Sequence, residues 1–310
     1  MRPARILAAA GALVLGLIGA AIGAEDRPWP PVPEDMVKKV TEAMPGKPQV
    51  TPAKPRKLLV FTLCSGARHG SIPFISKAIE IMGEKTGAFT AVVSDDPAMF
   101  DAENLKQFDA VFMDNTTGNL FTVKGQELDK ERNDERRKNF LEFVRSGKGL
   151  AGVHAATDCS SGWKDYGEMI GGYFAGHPYQ KTIVRVESKD NPVNAAFKGM
   201  DEFPHQEETY VIKAPYSRET HRVLLGIDME KSGLMEKSAR PDGDHALAWI
   251  KRYGEGRVFY SAFGHDDKIV TDPMILRFWL DGIQYALGDL KADDSPSGKE
   301  SAPLVPPPAK

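Results

Sequence analysis

This sequence has few cysteines and no excess of basic charge, and each of these shortages excludes a class of protein. Of the 310 residues only Cys64 and Cys159 are cysteines, too few and too far apart for a cysteine-rich zinc site. The formal net charge is −3, whereas a nucleic-acid-binding protein usually carries a concentrated basic face. No run of like charges suggests a polyanionic partner, and the chain has no internal repeat. These shortages favour an ordinary globular protein that binds no nucleic acid.

Local catalytic motifs are missing as well. No pair of histidines has the H-x-x-x-H or H-E-x-x-H spacing of a helical metal site. The sequence also contains neither a G-x-S-x-G elbow nor a phosphate-binding P-loop. Any site must therefore be assembled from residues on different elements.

The N-terminus has the composition of a secretory signal peptide. Two arginines precede an uncharged run from Ile6 to Ala24, and two acidic residues follow it. We expect cleavage after Ala24, which would place the protein in the periplasm or outside the cell, although Ile22 is less favourable than alanine at its position. The alternative is an uncleaved membrane anchor, because the run is just long enough to span a bilayer. In an exported protein the two cysteines could form one disulfide; the alternative is two buried thiols.

Proline-rich segments flank the central part of the chain. Residues 25–56 contain eight prolines and are predicted to be an extended linker, with a short helix in "PEDMVKKVTEAM". Residues 289–310 have the same character, and we expect a disordered tail. Between them, residues 57–288 form the predicted folded domain.

Strand and helix patterns alternate in the first half of this domain. Short apolar runs at 57–64, 89–94, 109–115 and 149–154 are typical of buried strands. Helical patterns separate them, the first with Ser71 as a candidate cap. This order predicts a mostly parallel α/β sheet with helices on both faces.

The second half predicts additional strands. Their patterns lie at 181–187, 208–212, 221–228, 245–252 and 256–264, with a hairpin around "YGEG". A final helix is predicted over 272–288, with Asp272 as its cap.

Polar residues follow the predicted strands, where ligands bind in open α/β sheets. Four of the seven histidines fall at such turns, namely His69, His154, His177 and His265. They indicate a shared cleft, although any one of them could be structural. Imidazoles with a carboxylate bind a divalent transition metal, and without a metal they transfer protons near neutral pH.

Other side chains could serve the same cleft. Arg68 suits an anionic atom, and Trp163 and Trp249 could offer flat faces to a sugar ring. Each tryptophan could equally be a packing residue, and Asp158 could simply cap the next helix.

Six segments resemble the ThuA-like, or trehalose-utilisation, family across nearly all of residues 57–288. They are "FTLCSGARHGSIP", "GKGLAGVHAATD", "WKDYGEMIGGYFAGHP", "EETYVI", "HALAWIKRYGEGRVFYSAFGH" and "LDGIQYALG". The resemblance implies a flavodoxin-like α/β fold related to class I glutamine amidotransferases. It also implies a role in carbohydrate metabolism, with disaccharides and 3-keto sugars as substrates.

The resemblance implies a particular role for His154. In the amidotransferase relatives, the corresponding elbow carries a nucleophilic cysteine, and an imidazole cannot perform that thiolate chemistry. Because Cys159 lies five residues further on, it does not replace the nucleophile. We therefore expect no glutaminase activity.

The family's motif positions can be assigned to individual residues of this chain. They are Arg68, His69, Ser71, His154, Asp158, Trp163, His177, Glu208, Tyr210, His245, Trp249, Gly264 and His265. The chain departs from the family pattern at Glu207, where aspartate is common, which puts a role for Glu207 in doubt. It also departs at Cys64 and Cys159, where small hydroxyl residues are expected. Because both cysteines follow strands that end at the same cleft, our hypothesis is that they approach each other and are linked.

Two functions fit these residues. The first is an enzyme acting on a keto sugar by isomerisation or glycoside cleavage. Its predicted catalytic residues are His154, His265, Asp158 and Glu208. The predicted substrate-binding residues are Arg68, His69, Ser71, Trp163, His177, Tyr210, His245 and Trp249. The candidate ligands for one divalent metal such as zinc are His69, His154, His177, His265 and Glu208.

The second function is a sugar-binding module without chemistry. In both cases the expected partner is a small carbohydrate, and a membrane is a partner only if the N-terminal segment is retained. A pure binder does not need histidines and a carboxylate that converge on one point.

Overall fold

A mixed sheet of nine strands forms the centre of the molecule. A computed structural model describes residues 29–234, 240 and 242–298, so the predicted signal peptide and residues 299–310 lie outside the described residues. The strands are β1 (Lys57–Phe61), β2 (Thr90–Ser94), β3 (Ala110–Asp114), β4 (Gly149–Val153), β5 (Tyr173–Gly176), β6 (Tyr179–Val186), β7 (Glu202–Glu208), β8 (Val211–Lys213), β9 (Arg222–Asp228), β10 (Ala246–Tyr253) and β11 (Gly256–Ser261). The α-helices are α1 (Glu34–Ala43), α2 (Ile72–Thr86), α3 (Ala102–Leu105), α4 (Lys130–Arg145), α5 (Lys164–Ile170) and α6 (Pro273–Ala286).

The strand order confirms the flavodoxin-like α/β prediction. The order is β2-β1-β3-β4-β11-β10-β9-β6-β7, with β5 and β8 in a separate two-stranded sheet. Strands β2, β1, β3, β4 and β11 run parallel. Every residue of β3 and β4 is buried, which explains why these strands are continuous apolar runs. Because parallel strands point the same way, their carboxyl ends meet at one edge of the sheet.

Helices cover both faces of the parallel part. A Cβ atom added at Gly149 would meet the carbonyl oxygen of Ala286 in α6. One added at Gly152 would meet the Cβ of Ala156 at 2.8 Å and Ile170 of α5 at 3.2 Å. Residues three apart on a strand face opposite sides of the sheet, so α6 and α5 lie on opposite faces. Both helices approach β4 so closely that a residue larger than glycine would not fit at Gly149 or Gly152.

The remaining strands extend the sheet in antiparallel fashion. The predicted hairpin is confirmed, with Tyr253 opposite Gly256, and Asp272 caps α6 by accepting bonds from the next turn. Strand β7 was not predicted, because "EFPHQEE" lacks apolar alternation and contains Pro204. It forms the edge of the sheet, where proline is tolerated.

The antiparallel part curls back over the carboxyl edge. Strand β7 lies four strands from β11, and a flat sheet with spacings of about 4.8 Å would hold them about 19 Å apart. The Glu207 carboxylate nevertheless lies 3.1 Å from the amide nitrogen of Gly264, just after β11. His205 packs on Phe263 with ring centroids 4.4 Å apart. This curl brings the end of β7 onto the ends of the parallel strands.

The proline-rich flanks differ from the expected extended linker and disordered tail. In α1 and just after it, Val40 and Met44 are 1% and 3% exposed, and the backbone of Gln49 donates to the side chain of Gln284. The described part of the tail also packs on the domain, since Ser297 donates to the carbonyl of His221. A high proline content limits regular secondary structure. It did not show that apolar side chains and backbone hydrogen bonds attach these flanking segments to the domain. No helix in the described part of the chain is long and apolar enough to cross a membrane.

Docking of α1 predicts a stability contribution from Met44. Met44→Ala should lower the free energy of unfolding by about 2 kcal/mol or more, because it leaves a cavity in a packed site. The control Lys38→Ala, whose side chain is 77% exposed, should change it by less than about 0.5 kcal/mol. Urea denaturation measures both values, and equal midpoints for the two variants would contradict the docked helix.

Candidate functional site

His154 stands at a strained turn directly after β4. Its φ is 44°, a left-handed value that is uncommon outside glycine. Its Nδ1 lies 3.0 Å from the carbonyl oxygen of Ala262. A carbonyl only accepts, so Nδ1 carries the proton and donates. The lone pair on Nε2 therefore faces the cleft, because a second hydrogen bond sets the tautomer of the ring.

Two further histidines meet His154 at this edge. His69 lies in the loop between β1 and α2, and His265 follows β11. Ring centroids are 5.0 Å apart for His69 and His154, and 5.3 Å apart for His154 and His265. His69 and His265 are separated by 5.5 Å. The parallel topology thus brings together three imidazoles from distant parts of the chain.

Glu208 completes this group, which we call the His/Glu cluster: His69, His154, His265 and Glu208. Glu208 Oε2 lies 3.4 Å from His154 Nε2 and 3.1 Å from His265 Nδ1. One donor atom from each of the four residues lies within 4.8 Å of the others. Burial alone would raise the pKa of Glu208, but the neighbouring imidazoles, with His154 contributing most, hold it below its usual value. The cluster is therefore centred on a carboxylate in its charged form.

The donor atoms suit a divalent transition metal. His69 Nδ1, His154 Nε2 and His265 Nδ1 are buried, and none makes a hydrogen bond to the described residues. Ligands about 2.1 Å from a tetrahedral ion lie about 3.4 Å apart, close to the separations of Glu208 from His154 and His265. Burial and the neighbouring imidazoles lower the pKa of His69 to about 4, so the ring is neutral at neutral pH. Among the described residues, this is the one group of three or more such donors.

His177 lies beside the cluster without joining it. Its Nε2 is 3.5 Å from Glu208 Oε1, and its side chain is 36% exposed. The ring stacks on Phe174, with centroids 5.8 Å apart. His177 is thus more exposed than His154, at 0%, and His265, at 29%.

Glu207, whose role the family comparison left in doubt, is an anchor for the turn that carries His265. It is 1% exposed, and its carboxylate accepts hydrogen bonds from the backbone of Gly264 and Asp266. It also lies 3.2 Å from His205 Nε2. Burial would raise the pKa of Glu207, but the His205 contact and nearby charges lower it below its usual value. Sequence reasoning missed this role because it depends on the curl of the sheet.

Asn115 and Ser71 support the same turn. Asn115, with φ of 50°, donates to the Gly264 carbonyl at 3.0 Å and accepts from the Ala155 amide at 3.2 Å. Ser71 is 1% exposed and donates to the same Gly264 carbonyl at 2.7 Å. Ser71 occupies the N-cap position of α2 but makes no side-chain cap bond, and its role in substrate binding stays a prediction. An asparagine directly after a buried strand was the available signal for Asn115, because asparagine tolerates left-handed φ.

Aromatic side chains surround the cluster. Tyr210 is buried, and its ring lies 3.9 Å from that of His154, so it forms a wall. Burial raises the pKa of its hydroxyl. Tyr179, which sequence reasoning missed, is 53% exposed. Its hydroxyl donates to Asp266 at 2.9 Å, and its ring lies 6.1 Å from His265. Tyr179 is thus an exposed aromatic ring held beside the cluster.

Three predicted substrate residues lie away from the cluster. Trp249 is fully buried, and its Nε1 donates to the carbonyl of Ile170. Trp163 is 8% exposed and stacks on Tyr166. Burial lowers the pKa of His245, and the positive charge of Arg240 lowers it further. The prediction that the tryptophans offer sugar faces is wrong for this structure, because hydropathy alone does not separate a core tryptophan from an exposed one.

Two other predicted residues lie at the rim. The Arg68 guanidinium lies 3.9 Å from the ring of Trp29, and Arg68 directly precedes His69 of the cluster in the sequence. The Asp158 carboxylate makes no hydrogen bond or ion pair with the described residues, and partial burial raises its pKa. It does not cap α5, which begins after Trp163 without a side-chain cap.

The hypothesis that Cys64 and Cys159 are linked is wrong for this structure. Both are free cysteines, and the segment at Thr117 and Gly118 pairs with each of them from opposite sides. Two strand spacings of about 4.8 Å separate them, more than a disulfide allows. Burial raises the pKa of the Cys159 thiol to about 12, so it is unsuited to nucleophilic chemistry.

Comparisons with known proteins agree with this fold. The family model for ThuA, described as trehalose utilisation, matches residues 57–286. A putative ThuA-like protein from Bacteroides uniformis superposes with a TM-score of 0.60 and 22% identity, over 84% of this chain and 100% of the other. Another, from Parabacteroides merdae, gives a TM-score of 0.55 and 18% identity, over 79% and 96%. No curated protein matches the chain. Since the family model spans most of the sequence, this chain belongs to the ThuA family of trehalose-utilisation proteins, which have a class I glutamine amidotransferase-like fold.

Proposed function

We propose that this protein is a metal-dependent enzyme that acts on a keto sugar or an oxidised glycoside. One observation carries the proposal: three imidazoles and one carboxylate each offer a ligand atom within 4.8 Å of the others at the carboxyl edge of the sheet. Each of these imidazoles also has a buried nitrogen that makes no hydrogen bond to the described residues. A sugar-binding module has no need of such a group, since unpaired buried nitrogens cost free energy. The family's link to trehalose utilisation supports a sugar as the substrate.

The His/Glu cluster would hold the metal through His69, His154, His265 and Glu208. Three nitrogens and one oxygen are a ligand set that zinc and related ions favour. The proton that His154 donates to the Ala262 carbonyl keeps its Nε2 free for coordination. When bound, a divalent cation supplies positive charge that stabilises a developing oxyanion.

His177 is the proposed acid–base residue. Because His154 and His265 face Glu208 as ligands, the more exposed His177 is left to move a proton. A carbonyl at C3 of the sugar acidifies the hydrogen on C2. His177 Nε2 takes that proton, and the electron pair forms a C2–C3 double bond while O3 becomes an oxyanion. From the sequence we predicted His154 and His265 as catalytic, and the greater exposure of His177 favours it for this step.

Two outcomes can follow this proton transfer. If the C3 carbonyl re-forms and the C1–O bond breaks, the departing alkoxide takes the proton from His177 and a C1–C2 double bond remains. Water added across that bond completes glycoside cleavage. If the proton returns to C3 instead, and the O2 proton moves to O3, the product is the 2-keto isomer.

The rim would position the sugar. Tyr179 offers an exposed ring fixed by its bond to Asp266, and Arg68 adds positive charge at the edge. We also propose that the protein acts after export, on the strength of the basic and then apolar N-terminal segment.

Metal content is the first test. We expect the purified protein, prepared without chelator, to contain about one equivalent of zinc, manganese or iron by elemental analysis. His154→Ala should lose most of it, since one ligand of four is removed, whereas His221→Asn, outside the cluster, should retain it. A wild-type protein that takes up no metal even after loading would overturn the metal-dependent mechanism.

Turnover tests the role of His177. With methyl 3-keto-glucoside as substrate, His177→Asn should lower turnover by about 100-fold or more, the usual effect of losing a general base. Its metal content should be unchanged, because His177 lies outside the ligand set. NMR of the products follows release of methanol or appearance of the 2-keto isomer. Unchanged turnover in the variant would exclude His177 as the proton carrier, and no turnover by the metal-loaded wild type would favour a binding module.

Glu207 should affect the metal affinity of the cluster without itself contacting the metal. Glu207→Gln should weaken metal affinity by about 10-fold or more, because supporting residues orient the ligands and the turn bearing His265 loses a charged acceptor. Glu202→Gln, on the exposed part of the same strand, should have no effect. Competition with a coloured chelator measures both affinities, and equal values would show that the turn is held without Glu207.

A further inference from the structure

An apolar pocket adjoins the His/Glu cluster, and neither the family nor the proposed chemistry assigns it a role. The cavity has a volume of about 310 Å³. Its walls come from the small β5–β8 sheet and from the end of β9 with the turn after it. It is lined by Ala175, Gly176, His177, Pro178, Val211, Ile227, Met229 and Leu234.

His177 connects the pocket with the surroundings of the cluster. It is one of the residues that line the cavity, and its Nε2 lies 3.5 Å from Glu208 Oε1. A ligand that contacts His177 therefore lies close to both the pocket and the carboxylate of the cluster.

The lining determines what the pocket accepts. Of the described side chains that line it, His177 alone is polar. Ile227, Met229 and Leu234 are 1%, 5% and 2% exposed, so they form a buried apolar floor. A sugar ring placed here would bury hydroxyl groups without partners, which is costly. An apolar group would gain from the same surface.

The size of the cavity suits a substituted ring. An engineered apolar cavity of about 150 Å³ stays dry and binds benzene, so about twice that volume accommodates an aromatic ring with a short substituent. Met229 can adjust to irregular shapes, because its side chain is unbranched and polarisable. Tyr179 and Arg68, by contrast, provide the polar and aromatic rim that a sugar needs.

We propose that this pocket receives the apolar aglycone of a glycoside, so that the substrate carries an aryl or alkyl group at C1 rather than a second sugar. The inference rests on the proposed function, since the sugar must lie at the cluster for its C1 substituent to reach across His177. It narrows the substrate class from keto sugars in general to glycosides with an apolar leaving group.

Binding of paired, unreactive glycosides tests the pocket separately from catalysis. Phenyl glucoside and methyl glucoside of the same anomeric form, which lack the C3 carbonyl, are titrated into the metal-loaded full-length protein by calorimetry. We expect phenyl glucoside to bind at least about 10-fold more tightly, because burial of its ring adds apolar contact. Ala175→Phe, at an exposed position of β5, should fill the pocket, removing this preference while leaving methyl glucoside binding unchanged.

A second variant and the turnover assay separate the outcomes. Met229→Gln keeps the length of the side chain but makes the floor polar, so it should reduce the preference for phenyl glucoside. If the wild-type protein turns over methyl 3-keto-glucoside but binds the two glycosides equally, the proposed role of the pocket is wrong and the proposed function stands. A wild type that binds neither glycoside and shows no turnover would overturn the proposed function and the pocket together.

Discussion

The buried carboxylate of Glu207 is the contact on which the geometry of the cluster depends. It joins the end of β7 to the turn after β11, two places that the strand order keeps four strands apart. Its oxygens accept from the backbone of Gly264 and Asp266 and meet His205, so the charge is satisfied inside the protein. Removing such partners from a buried charge costs several kcal/mol, which makes the closed arrangement much more favourable than an open one. Because Glu208 follows directly, the same anchor sets the position of the carboxylate in the cluster.

The turn after β11, which contains Gly264, also stabilises two strained backbone positions on the other side of the site. His154 and Asn115 both have positive φ, at a cost of about 1–3 kcal/mol each. The carbonyl of Gly264 accepts from Asn115 and Ser71, and the Asn115 side chain accepts from the Ala155 amide next to His154. The elbow thus keeps its strained shape although it displays an imidazole. Where the resemblance to amidotransferases implies a nucleophile, this elbow holds a buried imidazole whose Nε2 lies 3.4 Å from Glu208.

The parallel half of the fold and the members of the His/Glu cluster could be predicted from the sequence. The residues that surround the cluster could not. Buried parallel strands are recognisable as apolar runs, and the residues that follow them lie at the carboxyl edge of the sheet. His69, His154 and His265 were therefore predictable. Glu207 and Tyr179 were not, because their roles depend on the curl of the antiparallel strands. The burial of Trp249 was not predicted for a different reason. A tryptophan can pack in a core or lie exposed at the edge of a site, and the sequence alone does not distinguish the two positions. The linker was misjudged because composition shows prolines but not the partners that Val40 and Met44 find.

The position of His177 has a consequence for how a substrate lies in the site. A base that starts elimination must reach the hydrogen on C2, and the same group must then return its proton to the oxygen leaving from C1. These atoms are neighbours, so a single imidazole can serve both only if it lies between the charged centre and the leaving group. His177 lies 3.5 Å from Glu208 and is also a lining residue of the apolar pocket. In the proposed reaction, C3 and its oxygen would therefore point towards the cluster and C1 towards the pocket. This orientation would place the developing charge where positive charge can be held, and the apolar group where water is least able to compete.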